Sequence, residues 1–417
     1  MPILVGIALL FSACPDSFSS DYYYSGFMWR SDGSEGIIIT GYTGPGGALV
    51  IPEEINGSPV TAIGERAFAA NQLTSVTIPD SVTSIRREAF SHNQLTSVII
   101  PNSVTSIERS AFMSNHLASV SIPDSVVSIE ERAFAGNRLT SVSIPNSVTS
   151  IGEMAFTANQ LTSINIPSSV AVIGRWAFFE NQLTNVIIPN NTTSIAQGAF
   201  ASNLLTSVII PNGVISIGGS AFWDNQLISV TIPDSVTHIE GLAFIDNQLT
   251  SVTIPNSVIH IGNRAFANNQ LASVTIPDSV TYIDAGTFWN NQLTSVSIPN
   301  SITHIGVMAF TDNQLTSVNI PNSVTSIGRA AFWGNDLTSV NIPNSVTSIG
   351  RQAFYTRDVL SMARGNPLTS IAIGANVELE DEVFGSGFEA AYEANGRAAG
   401  RYTRLGTGIE VWTRSEN

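Results

Sequence analysis

A repeat of 22 residues constrains the fold of this chain more than any other feature of its sequence. Phenylalanine recurs at that interval fourteen times, from Phe68 to Phe354, and proline recurs thirteen times, from Pro79 to Pro343. A fixed period in this range indicates a solenoid, in which each unit buries its apolar face only against its neighbours. The length of 417 residues would otherwise suggest about two or three domains, but a solenoid grows without starting a new core.

Residues 71–90, NQLTSVTIPDSVTSIRREAF, form a typical unit, and each position in it has a physical role. Val76 and Ile78 alternate with polar residues, which predicts a short parallel strand over residues 75–78 with one face buried. The proline that follows ends the strand, because it has no N–H group to donate to a neighbouring coil. We expect a second short strand near Ile85, and a closing segment at Phe90 that is a short turn or a single helical turn.

An asparagine column accompanies the phenylalanine column and runs unbroken from Asn71 to Asn335. A carboxamide both donates and accepts hydrogen bonds, so it satisfies backbone groups that a buried loop would leave unpaired. We therefore predict an inward-facing asparagine ladder beside a stacked phenylalanine spine. The fold class that follows is a leucine-rich-repeat solenoid of parallel β-strands, capped at both ends.

The pattern LTSVTIPDSVTSIRREAFSHN, residues 73–93, resembles the BspA-like, or Treponema pallidum-type, leucine-rich repeat. The resemblance extends over residues 37–384. The family unit is commonly one residue longer and often has Cys where this chain has Asn. Family members are mostly surface or secreted proteins that adhere to host or microbial partners. The resemblance therefore implies a surface protein that recognises a protein or another surface macromolecule.

Both ends of the chain depart from the repeat. Residues 1–14 have the pattern of a signal peptide and close with Ser12-Ala13-Cys14, which resembles a bacterial lipobox and predicts lipidation of Cys14. The protein would then be lipid-anchored at the cell surface or outer membrane; a plain secretory signal or a buried free cysteine is the alternative. Residues 15–36 are expected to form a tether and N-terminal cap, residues 37–384 the solenoid, and residues 385–417 a C-terminal cap helix and tail.

Charge and motifs argue against several functions. The formal net charge of −15 disfavours nucleic acid and anionic membrane surfaces as partners. All 17 basic residues are arginine, which excludes Schiff-base chemistry and a phosphate-loop lysine. The sequence holds no Gly-rich phosphate loop, HExxH motif, nucleophile elbow or Cys near a His. We therefore expect a protein that is not an enzyme and that needs no cofactor.

Function is expected where the residue type at a fixed repeat position changes along the chain. The position after each column phenylalanine changes in this way. It is mostly small in the N-terminal half, as at Ala69, Ala135 and Thr157, and becomes large later. We predict that the later aromatic residues bind a ligand; the alternative is that their rings pack on the loop of the next coil. We name them the aromatic stripe: Phe179, Trp223, Trp289, Trp333 and Tyr355.

Two more columns change in the C-terminal half. In four successive coils a serine position becomes what we name the histidine column: His238, His260, Tyr282 and His304. At a coil spacing of about 5 Å, neighbouring imidazoles are close enough to share a metal or to titrate together. A solvated ladder is the competing interpretation, so His238, His260 and His304 are weak metal candidates and no metal site is assigned. Carboxylates two residues after the column phenylalanine are expected to form a solvated rim, which we name the acidic column: Glu180, Asp224, Asp246 and Asp312.

The leading functional hypothesis is a surface-anchored adhesion or recognition protein whose partner is a protein or another surface macromolecule. A structural surface-layer protein is one alternative. Binding of ice or another crystal surface through the uncharged Ser/Thr strand face is another. That face is uneven, however, because the outward position at Thr77 varies among Thr, Ser, Ile and Asn from coil to coil.

Overall fold

The computed structural model describes residues 22–355, 365–385, 387–406 and 411–415. These residues form a stack of short coils, and each regular coil contributes 22 residues to a common core. The predicted signal peptide with Cys14, and the first part of the predicted tether, lie outside the described residues.

Most secondary structure consists of very short strands, because each coil turns again after a few residues. The one α-helix in the described ranges is α1 (Phe388–Ala394). The strands, in chain order, are β1 (Tyr22–Tyr24), β2 (Phe27–Ser31), β3 (Ile37–Tyr42), β4 (Gly47–Val50), β5 (Glu54–Ile55), β6 (Ser58–Ile63), β7 (Leu73–Thr77), β8 (Ser84–Ile85), β9 (Ser106–Ile107), β10 (Ser128–Ile129), β11 (Ser150–Ile151), β12 (Val172–Ile173), β13 (Ser194–Ile195), β14 (Ser207–Ile209), β15 (Ser216–Ile217), β16 (Ser229–Thr231), β17 (His238–Ile239), β18 (His260–Ile261), β19 (Ser273–Thr275), β20 (Tyr282–Ile283), β21 (Ser295–Ser297), β22 (His304–Ile305), β23 (Ser326–Ile327), β24 (Ser339–Asn341), β25 (Ser348–Ile349), β26 (Ser370–Ile373), β27 (Glu378–Leu379), β28 (Gly400–Thr403) and β29 (Thr413–Ser415).

Two rows of parallel strands run along the solenoid. The first strand row contains β4, β7, β14, β16, β19, β21, β24 and β26, linked in other coils by single parallel bridges such as Val76 to Val98. The second strand row contains β6, β8 to β13, β15, β17, β18, β20, β22, β23, β25 and β27. Both the predicted strand at residues 75–78 and the second strand near Ile85 are confirmed. A residue in one coil pairs with its equivalent 22 positions later, as Ser128 pairs with Ser150.

The phenylalanine column forms the predicted spine. Every ring from Phe68 to Phe354 is fully buried, and neighbouring rings are nearly parallel, with centroids 5.0 Å apart at the closest pair, Phe332 and Phe354. The spine continues after the longer step to Phe384, whose ring lies 5.4 Å from that of Phe354. The phenylalanine column thus provides a continuous aromatic core for the whole solenoid.

The segment that closes each coil is a tight turn and not a helical turn, one of the two forms expected for it. In the coil of Phe90, Glu88 and His92 have φ angles of 55° and 56°. Left-handed residues at both sides of the phenylalanine interrupt any helix, yet they let the Ala-Phe pair point into the core. The same two positions have positive φ in coil after coil.

The asparagine ladder is confirmed and bonds adjacent coils. Asn93 Oδ1 accepts the N–H of Leu73 at 2.9 Å, while Nδ2 donates to the carbonyl oxygens of Phe68 at 2.6 Å and Phe90 at 3.0 Å. The pattern recurs from Asn115 to Asn335 and continues to Asn366, which accepts from Leu337 and donates to Phe332. One carboxamide therefore bonds three backbone groups of its own and the preceding coil.

Both ends of the stack are covered. At the N-terminus, β1, β2 and β3 pair in antiparallel order, and β3 then pairs in parallel with β6. At the C-terminus, α1 buries Phe388 and Tyr392, and β28 pairs in antiparallel order with both β26 and β29. These elements shield the terminal coils, whose strand edges would otherwise be open. Within the described ranges, no helix has the length and hydrophobicity needed to cross a membrane.

Candidate interaction surfaces

The aromatic stripe lies along the closing turns, and all five of its side chains are partly buried. The residues at this position in the intervening coils are buried: Ala201, Ala267 and Thr311 are small, whereas Ile245 is larger. The rings of Phe179 and Trp223 stack with centroids 6.4 Å apart although they are two coils apart. The small Ala201 between Phe179 and Trp223 therefore lets their rings approach each other across one coil while part of each ring faces solvent.

The indole N–H groups bind the acidic column. Trp223 Nε1 donates to Asp246 Oδ2 at 3.0 Å, and Trp289 Nε1 donates to Asp312 Oδ2 at 3.4 Å. The guanidinium of Arg264 lies 5.4 Å from the centroid of Trp289. Asp246 and Asp312 thus differ from the solvated rim expected of the acidic column, because an indole of a preceding coil hydrogen-bonds each carboxylate. Trp223 and Trp289 therefore pack on the next coil and are also partly exposed.

One aromatic residue of this surface, Trp176, lies outside the repeat position that defines the aromatic stripe. Trp176 stands three positions before Phe179, and their rings meet edge to face with centroids 5.0 Å apart. The indole lies over Gly198 of the next coil, where a Cβ atom would overlap its six-membered ring. The signal available in the sequence is Gly198 itself, one of only two glycines at this position of the regular coils. Trp176 and Phe179 thus form the N-terminal end of the aromatic surface.

The histidine column lies on β17, β18, β20 and β22 in the second strand row. The rings of His238 and His260 have centroids 6.1 Å apart, and those of His260 and Tyr282 are 5.9 Å apart. The phenol of Tyr282 hydrogen-bonds His260 Nδ1 at 2.9 Å. Burial, and then the carboxylates of Asp284 and Glu240, raise the pKa of the Tyr282 phenol, which keeps its proton at neutral pH.

The remaining imidazole contacts are also local. His238 Nδ1 and His304 Nδ1 each lie 2.8 Å from the hydroxyl of the preceding threonine, and His260 Nε2 lies 4.0 Å from Glu240 Oε2. Across the described part of the chain, no three His, Cys, Asp or Glu side chains are grouped so that they could hold a metal ion. The histidine column therefore has the geometry of a partly solvated ladder along one strand row.

The BspA type leucine rich repeat region matches residues 53–159, 127–250 and 237–361, which together cover more than half of the chain. The chain belongs to this family. No curated protein matches this BspA-type chain over its sequence.

Several solved structures are similar to this BspA-type protein. A leucine-rich repeat protein from Bacteroides ovatus is 22% identical, with 80% of this chain and 92% of that chain covered and a TM-score of 0.58. A leucine-rich cell surface protein from Faecalibacterium prausnitzii is 29% identical, with 81% and 92% covered and a TM-score of 0.51. A leucine-rich repeat protein from T. pallidum is 25% identical, with 46% and 86% covered and a TM-score of 0.29. The first of these relatives supports the solenoid fold alone.

Proposed function

We propose that this BspA-type protein is a non-catalytic recognition protein of the cell surface that binds a host or microbial macromolecule. The observation that supports a binding role is the aromatic stripe, whose rings remain partly exposed along the closing turns from Phe179 to Tyr355. The Faecalibacterium prausnitzii relative, a cell surface protein, supports the location. Lipid attachment at Cys14 is part of the same proposal and rests on the lipobox-like sequence Ser12-Ala13-Cys14.

The solenoid itself does not require the stripe. Each regular coil has the same buried phenylalanine, yet the residue after it is mostly small in N-terminal coils, as at Ala69, Ala135 and Thr157. Trp and Tyr side chains contribute a large share of the binding energy at protein interfaces. Hydrogen bonds to Asp246 and Asp312 hold two of the indoles in one orientation, which reduces the entropy lost on binding.

The first strand row is a weaker candidate for a crystal-binding face. Its outward position holds Ile99, Ile187 and Ile209, which are exposed by 80%, 72% and 80%, among Ser and Thr in other coils. Branched aliphatic side chains that project from a hydroxyl-bearing face make it uneven, whereas a flat lattice favours a uniform surface. We therefore do not propose ice binding.

The test is a triple variant, W223A/W289A/W333A, in the full chain. Binding to fixed host and bacterial cells and to extracellular-matrix extract is measured, with circular dichroism to monitor folding. Each substitution is expected to weaken binding by about 1–3 kcal/mol, and wild-type binding is expected to persist at high salt because the contact is mainly apolar.

The matched control is I99A/I187A/I209A, which removes three exposed apolar side chains from the first strand row. This control is expected to bind like the wild type. A folded tryptophan variant with unchanged binding excludes the stripe as the site. If only the isoleucine variant loses binding, the first strand row is the binding surface.

A further inference from the structure

A groove with a volume of 760 Å³ opens on the second strand row where the last regular coils meet the C-terminal cap. Its floor contains Gly306, Gly328 and Gly350, which directly follow β22, β23 and β25. These are the only three successive coils with glycine at this position, which elsewhere holds Arg, Glu, Asp or Ala as well. A Cβ atom at any of the three would lie 2.4–2.6 Å from backbone atoms of the preceding coil, so the glycines let these coils stack closely. Helix α1 closes the end of the groove through Glu393 and the nearby Arg397.

The groove runs along the solenoid axis, across four strands. In register along its floor, His304 pairs with Ser326, Ser326 with Ser348, and Ser348 with Glu378. Three coil steps correspond to about 14 Å, which is the length of about four residues of extended chain. The volume is also within the range of sites that enclose a ligand or a short peptide segment.

Charge is distributed unevenly in this groove. Three exposed carboxylates, Glu378, Glu380 and Glu393, line the end next to the cap, and Arg397 is 3.6 Å from Glu393. Arg329 and His304 line the opposite end. Beyond the cap end, an adjoining hollow contains one arginine, Arg351, and a further set of carboxylates: Asp381, Glu382 and Glu389. Carboxylates therefore outnumber guanidinium groups at the cap end by six to two.

We propose that this groove is a second binding site, which takes a short basic segment of a partner protein. Lysine or arginine side chains would lie against Glu378, Glu380 and Glu393, where the excess of carboxylates supplies the complementary charge. The groove is on the second strand row and the aromatic stripe is on the closing turns, so each site can be altered without the other.

Two variants of the full chain test the groove by independent means. E378Q/E380Q/E393Q removes the charges and keeps the acceptor oxygen with which Glu380 binds the N–H of Arg351 at 2.7 Å. S326Y/S348Y fills the groove and leaves its charges in place. The histidine column shows that this strand position accepts a large side chain, because Tyr282 occupies it with 40% exposure.

The control is D124N/D234N/D278N, which removes the same number of charges from exposed turns of other coils. Asn naturally occupies the same turn position in other coils, for example Asn146. The probe is fluorescein-labelled tetralysine, measured by fluorescence anisotropy. Salt is raised from about 0.01 M to about 1 M, which shortens the Debye length from about 30 Å to about 3 Å.

Both groove variants are expected to raise the dissociation constant of tetralysine by about tenfold or more, and the control to leave it within about twofold. The wild-type affinity is expected to fall with salt. The proposal would be overturned if folded S326Y/S348Y bound tetralysine with wild-type affinity. It would also be overturned if the control lost as much affinity as E378Q/E380Q/E393Q, because that result indicates attraction by net charge alone. W223A/W289A/W333A is expected to bind tetralysine normally, so failure of the stripe and failure of the groove are separate results.

Discussion

The indole Nε1 of Trp223 donates a 3.0 Å hydrogen bond to Oδ2 of Asp246, which lies one coil further along the solenoid. The other carboxylate oxygen of Asp246 accepts a 2.6 Å hydrogen bond from Nδ2 of Asn268 in the following coil. Asp246 has a φ of 57°, a conformation that Asp adopts more readily than most residues. One carboxylate thus connects three coils on the surface that carries the aromatic stripe.

Asp246→Ala is expected to lower the free energy of unfolding by about 1 kcal/mol, because a partly buried indole N–H loses a charged acceptor. Trp223→Phe removes the same hydrogen bond from the other side. In a double-mutant cycle measured by urea unfolding, the two changes are expected to be less than additive. Asp224→Ala is the control, since Asp224 has the same conformation but accepts from Ser202 and from no indole. Additive effects of the first two variants would contradict the coupling.

Phe156→Ala is expected to lower the free energy of unfolding by about 3–5 kcal/mol, because it opens a cavity in the spine. The stacked neighbours of Phe156 are Phe134 and Phe178, each 5.6 Å away. Hydrogen exchange is expected to accelerate mainly in these adjacent coils, since a solenoid couples nearest neighbours. Ile187→Ala, at an exposed strand position, should change the stability by no more than about 0.5 kcal/mol. A similarly small effect of Phe156→Ala would be inconsistent with a stacked core.

Asn137→Ala tests the asparagine ladder. The substitution leaves the buried N–H of Leu117 without its side-chain acceptor. The carbonyl oxygens of Phe112 and Phe134 each lose one donor and keep a hydrogen bond from another asparagine of the ladder. One unsatisfied buried N–H costs about 1–3 kcal/mol, so the free energy of unfolding should fall by about that amount in thermal or urea unfolding. Asn146→Ala, in an exposed turn, is the matched control. Equal stability of the two variants would argue against the ladder as a source of stability.

The N-terminal cap is expected to loosen in acid. The carboxylate of Asp32 accepts hydrogen bonds from the hydroxyls of Ser34 and Thr61, which lower its pKa from 3.8 to about 2. Because the folded-state pKa is depressed, the stabilisation is complete above pH 3.8 and is lost as the pH falls toward 2. Hydrogen exchange of the cap amides, measured across that range, should show the loss in the wild type. Asp32→Asn is expected to remove this pH dependence of hydrogen exchange. If the Asp32→Asn protein has the same pH profile as the wild type, the carboxylate of Asp32 is not its cause.

Cys14→Ala is expected to abolish incorporation of labelled fatty acid and to release the protein from the membrane fraction. The reason is chemical, because the thiol of a lipobox cysteine is the group that receives the lipid. Ser17→Ala, three residues beyond, is the control and should leave labelling intact. Fatty-acid labelling and mass spectrometry of the mature N-terminus give the readout. A wild-type protein without lipid, or one whose mature chain does not begin at Cys14, would show that the anchor is absent.

Periodicity was sufficient to predict which side chains face inward. Phe90 and Asn93 recur at a constant interval, and a constant interval in a stack of equal coils places equivalent residues directly above one another. The parallel strand rows follow from the same rule. The turn at Phe90 was predicted only as one of two forms, because the left-handed pair Glu88 and His92 has no consistent residue type across coils.

Relations between different columns were decided by the tertiary structure. The bond from Trp223 to Asp246 joins residues 23 positions apart, and it depends on how far an indole tilts along the solenoid axis. Asn366 rejoins the ladder after a longer step, which the period does not predict. The groove at Gly328 needs the cap helix as its end wall. A repeat determines the position of each side chain within its coil, whereas its contacts depend on the neighbours that the stacked coils and the cap bring within reach.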